Sequence, residues 1–166
     1  MPLQITPTEA LWFLPVVLPV CLWVIFSDLS RMRIPNRAVL LLAGIFLLLG
    51  PLALPLETYG WRIVTMVTML ALMFLANLAG LMGAGDSKFI AAAAPFIDPG
   101  DGALLGLIFA ANLLACLATH RLARQSPLRR LAPDWVSWTS GRKFPMGFAL
   151  AGTLLIYLGL GVVGGA

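Results

Sequence analysis

The sequence predicts an all-α fold, a polytopic helical bundle built for a membrane. Three observations carry this expectation. The 166-residue chain is 60% hydrophobic and only 11% charged, against about 25% charged residues in a typical soluble domain. Its apolar residues fall into about six runs, and its basic residues gather in alternate breaks between them. Such a chain cannot cover itself with polar surface, so lipid is its better solvent, and its length suits one domain over residues 1–166.

The first run, 10–27, is long enough to cross a bilayer with little tilt. The second covers 38–55 and holds Pro51 and Pro55 near its far end. The third spans 62–82. The fourth, 86–98, is only about half the usual length. Three readings stay open for it: a continuation past Asp98-Pro99-Gly100-Asp101, a short helix in a thinned region, or a re-entrant segment surrounded by protein. The fifth run covers 102–120 and the last 145–164.

Charge placement orients the bundle. With the amino terminus outside and six crossings, the inner breaks hold Arg31, Arg33, Arg37, Lys88, Arg121, Arg124, Arg129, Arg130, Arg142 and Lys143. Arg62 alone falls outside, with Glu9, Glu57, Asp98 and Asp101. That is a strong positive-inside bias. Met1 to Glu9 contain no Lys or Arg, so the basic start of a secretory signal is missing. The basic segment 121–145 is the sizeable cytoplasmic piece. Trp135 and Trp138 read as headgroup-depth anchors, and Arg129 and Arg130 as contacts to anionic lipid.

Several classes of chemistry fall away. The net charge of +4 follows from topology, so no nucleic-acid partner is expected. Cys21 and Cys116 lie singly inside apolar runs, with no histidine at ligand spacing, which argues against a zinc site or a disulfide framework. No metal or cofactor is expected. His120, beside Arg121, reads as an interfacial residue. Asn77 and Asn112 read as interhelical hydrogen-bonding groups.

Two aspartates remain. Charged groups bordering apolar runs are expensive and are functional candidates. Asp86 stands in Gly83-Ala84-Gly85-Asp86-Ser87-Lys88, where two glycines allow a bend and a close helix approach; its ordinary alternative is a helix N-cap. Asp28 stands in Ser27-Asp28-Leu29-Ser30-Arg31-Met32-Arg33-Ile34-Pro35-Asn36-Arg37. Its ordinary alternative is a solvated carboxylate paired with Arg31 or Arg33. Pro35 and Asn36 read as a turn and cap opening the second segment. The topology, drawn from Lys and Arg alone, puts both aspartates on the same face. Two carboxylates at short range cannot both ionise. The ionised one can draw a proton from water, and the protonated one can donate to a peptide carbonyl.

These motifs resemble those of the type IV prepilin peptidases, a family of GxGD aspartic proteases. Gly83 to Lys88 is similar to the GxGDxK signature. Asp28 through Arg31-Met32-Arg33-Ile34-Pro35-Asn36 is similar to the first-aspartate motif. Lys143-Phe144-Pro145-Met146-Gly147-Phe148-Ala149-Leu150 is similar to the late Pro-x-Gly-x-Ala segment. The three occur in family order, and the closest likeness is to the small Tad/Cpa-type branch that serves Flp pili. The resemblance implies catalysis by Asp28 and Asp86, with Gly83, Gly85, Lys88, Pro35, Asn36, Pro145 and Gly147 shaping the site. It implies a substrate, a prepilin whose short basic leader is cut next to its hydrophobic helix. It also implies a bacterial inner-membrane location with the site at the cytoplasmic face. The paired CxxC motifs of larger, methylating members are missing here, and no methyl transfer is expected. A presenilin-like or preflagellin-type GxGD protease is a second enzyme reading. A small proton-coupled transporter or pilus-assembly scaffold, using the aspartates as ion sites, is the reading from another class.

Overall fold

The computed structural model describes residues 3–141 and 143–164; Arg142, one of the basic residues counted above, lies outside them. Among the described residues there are six α-helices: α1 (Pro7–Arg31), α2 (Asn36–Ala53), α3 (Leu56–Leu78), α4 (Ala84–Ala93), α5 (Gly102–Gln125) and α6 (Met146–Gly164). All except α4 are long and apolar enough to cross a membrane. The protein is a polytopic, all-α membrane bundle.

Helix ends follow local chemistry. Thr6 caps α1 by accepting from the Glu9 N–H at 3.3 Å, satisfying one of the free amides of the first turn. Its other end closes where Met32 turns left-handed (φ 54°) and donates to the Asp28 carbonyl. α3 begins just past Pro55 and stops at Leu78, four residues short of the expected end. Gly80, at φ +72°, reverses the chain there while Gly80 and Leu81 amides cover the Asn77 and Ala76 carbonyls, the usual device for a helix C-terminus.

α1 is the central element and packs along α6 and α2. A built Cβ on Gly161 would stand 3.0 Å from Ala10 Cβ and 2.9 Å from Ile5 Cγ2, so the missing side chain lets α6 lie close against α1. The core is aromatic in its middle. Phe96 packs edge-on to Phe13 (5.0 Å between ring centroids) and to Phe46 (5.4 Å).

Phe96 belongs to the short fourth segment. This segment runs as α4, a 3-10 turn (Ala94–Phe96), two extended residues, and a second 3-10 turn (Pro99–Asp101) leading directly into α5. From Asp86 to Asp98 it covers about 23 Å, at about 1.5 Å per helical residue and more per 3-10 or extended residue. It therefore travels most of the length of α1. Its far end is tied to the start of α1: Arg62 Nη2 lies 2.7 Å from Asp98 Oδ2 and 3.9 Å from Glu9 Oε2. Asp101 accepts from the amides of Gln4 and Ile5 and from the Tyr157 hydroxyl. Residues 91–96 are all buried, so protein and not lipid surrounds the irregular backbone.

Arg62 keeps its place beside the outer-side acids Glu9 and Asp98, but it is 2% exposed within α3, drawn in by those two carboxylates. Two expectations change here. The basic segment expected from 121 begins later, because α5 continues to Gln125 and carries Arg121 and Arg124 on its last turns. Trp138 is not a headgroup anchor: it is 5% exposed, stacks on His120 at 5.0 Å, and donates from Nε1 to the Ala132 carbonyl. His120 is accordingly buried, with Phe144 edge-on to its ring.

Candidate active site

Asp28 lies inside the last turns of α1 and is 5% exposed. Among the described residues it pairs with neither Arg31 nor Arg33; the ion pairs involve Arg62. Its partner is the backbone of Gly147, whose N–H donates to Asp28 Oδ2 at 2.6 Å. Gly147 is the second residue of α6, so this amide is one that the helix itself leaves free. The bond is short because its acceptor is a carboxylate, and the helix N-terminus favours negative charge there.

Asp86 stands in the first turn of α4 and is not its cap: Gly83 holds the cap position and provides no side-chain bond. The third residue of a helix also feels the positive end of the dipole. Burial pushes the Asp86 carboxyl above the ordinary carboxylate range, since low-dielectric surroundings disfavour its charged form. Asp28, from the last turns of α1 and held by the N-terminus of α6, and Asp86, from the first turn of α4, thus line the same cavity of roughly 1130 Å³.

Ile34 joins the three motifs. A Cβ built on Gly85 would lie 3.4 Å from Ile34 Cβ, and one on Gly147 would lie 3.0 Å from Ile34 Cγ1 and Cδ1 and 2.9 Å from Asp28 Oδ2. At Gly147 a side chain would force the wall outward, whereas at Gly85 a methyl group would rest in ordinary contact with Ile34. A Cβ on Gly83 would likewise stand 3.0 Å from Asp86 Oδ2. The loop carrying Ile34 is held by Ser27, whose hydroxyl donates to the Arg33 carbonyl at 2.9 Å.

The remaining expected residues divide. Gly83, Gly85, Lys88 and Asn36 line the cavity with the two aspartates. Pro145 is buried directly before α6, and Pro35 holds the position before α2. Asn36 is the first residue of α2 and gives no capping bond; its Oδ1 accepts from Lys88 Nζ at 3.4 Å instead. Asn112 makes the expected interhelical bonds, to the Ala149 carbonyl and Thr153. Asn77 does not: its Nδ2 donates to the Met82 carbonyl in the turn that follows its own helix, fixing the approach to Gly83. Ile34 was not singled out by the sequence, although it sits between the basic pair and Pro35. Its three-way contact has no local signature.

The arrangement offers two carboxylates, fixed from separate helices, at the wall of one largely apolar cavity. The model of the type IV leader peptidase family matches residues 15–120, more than half of the chain and inclusive of both aspartates. No curated protein and no solved structure matches the chain.

Proposed function

The chain belongs to the type IV leader peptidase family, and on that premise we propose that it is an aspartic endopeptidase that removes the cytoplasmic leader of type IV prepilins, of the Flp type. The observation that carries this reading is the shared cavity: Asp28 and Asp86 come from segments far apart in sequence and line one space. The enzyme sits in the bacterial inner membrane with its amino terminus outside and its dyad at the cytoplasmic face. The inner placement of nearly all Lys and Arg supports that orientation.

The reaction needs only the dyad and water. The two carboxyls share one proton, because like charges at close range disfavour double ionisation. The ionised member takes a proton from a water molecule, which attacks the scissile carbonyl carbon. The protonated member donates to the carbonyl oxygen, and the proton acquired by the first is passed to the departing amine as the C–N bond breaks. The Gly147 amide holds Asp28 in one orientation throughout, the kind of preorganisation that lowers the barrier. Lys88, through Asn36, ties the start of α4 to the start of α2.

The test is cleavage in a reconstituted bilayer. Purified protein incubated with a full-length type IV prepilin is expected to release the leader as one peptide, cut just before the hydrophobic helix. An intact prepilin after prolonged incubation, with correctly inserted enzyme, would contradict the reading.

A further inference from the structure

The cavity extends well beyond the dyad. On α5 its wall is the stripe Gly102, Gly106, Phe109, Leu113 and Leu117, spaced as one face of a helix. This stripe is about 22 Å long at about 1.5 Å per residue. Across from it stand Ile90 and Ile97 of the fourth segment, and Leu154 of α6 forms part of the floor.

α5 packs chiefly on α6, and of its residues only Cys116 and His120 are buried. Its face toward α4 is therefore unpartnered. Both glycines lie on that face, and a Cβ built on either meets nothing within 4 Å. Paired small residues four apart are where membrane helices approach one another most closely. Here they open onto an empty groove, one end of which is the dyad.

Resting on the leader-peptidase reading, we propose that the groove between α4 and α5 seats the single hydrophobic helix of the prepilin, backed against Gly102 and Gly106, so that the bond preceding it reaches Asp28 and Asp86. Three features select this occupant over a second copy of the chain or bulk lipid. The groove is continuous with the dyad, so whatever fills it is joined to what is cut. Its length matches most of one membrane-spanning helix, whose apolar span is about 30 Å. Its walls are apolar along α5, and its charged residues are Asp28 and Asp86 with Arg33, Lys88 and Lys143 from the segments beside them, which suits an apolar helix preceded by a cleavable polar leader. In such a site the remote helix does not react; it positions the scissile bond.

The experiment compares two substrates in the same bilayer: a full-length type IV prepilin, and a truncated one that keeps the leader and cleavage junction but lacks most of the helix. Gly106→Leu, which fills the groove, is expected to raise KM for the full-length substrate by about tenfold or more with kcat little changed, and to leave cleavage of the truncated substrate as in the unaltered enzyme. Leu107→Ala, on an exposed position outside the cavity lining, is expected to change neither. A photocrosslinker at position 113 in the Asp86→Asn protein is expected to capture the prepilin helix, and one at the exposed position 114 is not. Equal loss on both substrates, or crosslinks at 113 only to lipid or to a second copy, would overturn the groove assignment while leaving the dyad intact. Failure of the unaltered enzyme to cut either substrate would instead strike the peptidase reading, and the crosslinks would still report on the groove.

Discussion

The Gly147 amide donates a 2.6 Å hydrogen bond to Asp28 Oδ2 across 119 positions of sequence. It joins the end of α1 to the beginning of α6, and Gly147 has no side chain because Asp28 and Ile34 already occupy that space. Replacing Gly147 by Ala pushes a methyl group to within 2.9 Å of the carboxylate oxygen. Peptidase activity is expected to fall about a hundredfold, the usual cost of a displacement near 1 Å at a reacting group, with the protein still inserted. Prepilin cleavage rates on equal amounts of membrane-inserted protein check this.

At the opposite end of the bundle, Arg62 holds Asp98 and thereby the end of the fourth segment. Arg62→Met leaves the partly buried Asp98 and Glu9 without their counter-charge. The expected loss is on the order of 2–3 kcal/mol, read as a lowered midpoint in thermal or denaturant unfolding in detergent. Activity per folded molecule is expected to change far less.

Asp86→Asn separates chemistry from stability. The folded-state pKa of Asp86 is raised by burial, so the folded protein holds that proton more tightly than the unfolded chain. The sign follows directly: the native enzyme gains stability as pH falls through the folded-state pKa, and that gain is lost as pH rises again. The asparagine variant carries no charge to bury. It is expected to be the more stable protein near neutrality, with the difference closing in mild acid. Unfolding midpoints of both proteins across that range provide the measurement.

Orientation is checked by single cysteines. Cys21 and Cys116 are buried, so background labelling is low. Leu131→Cys, at a position 83% exposed in the basic segment, is expected to react only from the cytoplasmic side, and Leu56→Cys, 77% exposed at the start of α3, only from outside.

The membrane bundle was legible because charge is scarce, and the same scarcity marks Asp28 and Asp86 as candidates. In a chain with 11% charged residues, a carboxylate bordering an apolar run stands out, and Lys and Arg placement puts Asp28 and Asp86 on one face. The path of the fourth segment was not legible. Its 3-10 and extended stretches carry no helical period, and its burial depends on Phe13 and Phe46 meeting Phe96. The burial of Arg62 was not legible for a related reason: it depends on the carboxylates of Glu9 and Asp98, which come from other segments. Asn36 stood where a cap is expected, and Lys88, distant in sequence, takes its oxygen. The Trp138 stack on His120 likewise unites positions whose spacing has no pattern.

The most direct test of the dyad is a matched comparison of Asp28→Asn and Asp86→Asn with the unaltered protein, each inserted in the same bilayer with the same prepilin. Each substitution keeps the side chain's shape and removes its acid–base chemistry. Leader release is expected to disappear in both while insertion and folding persist; full processing by either variant would contradict the account.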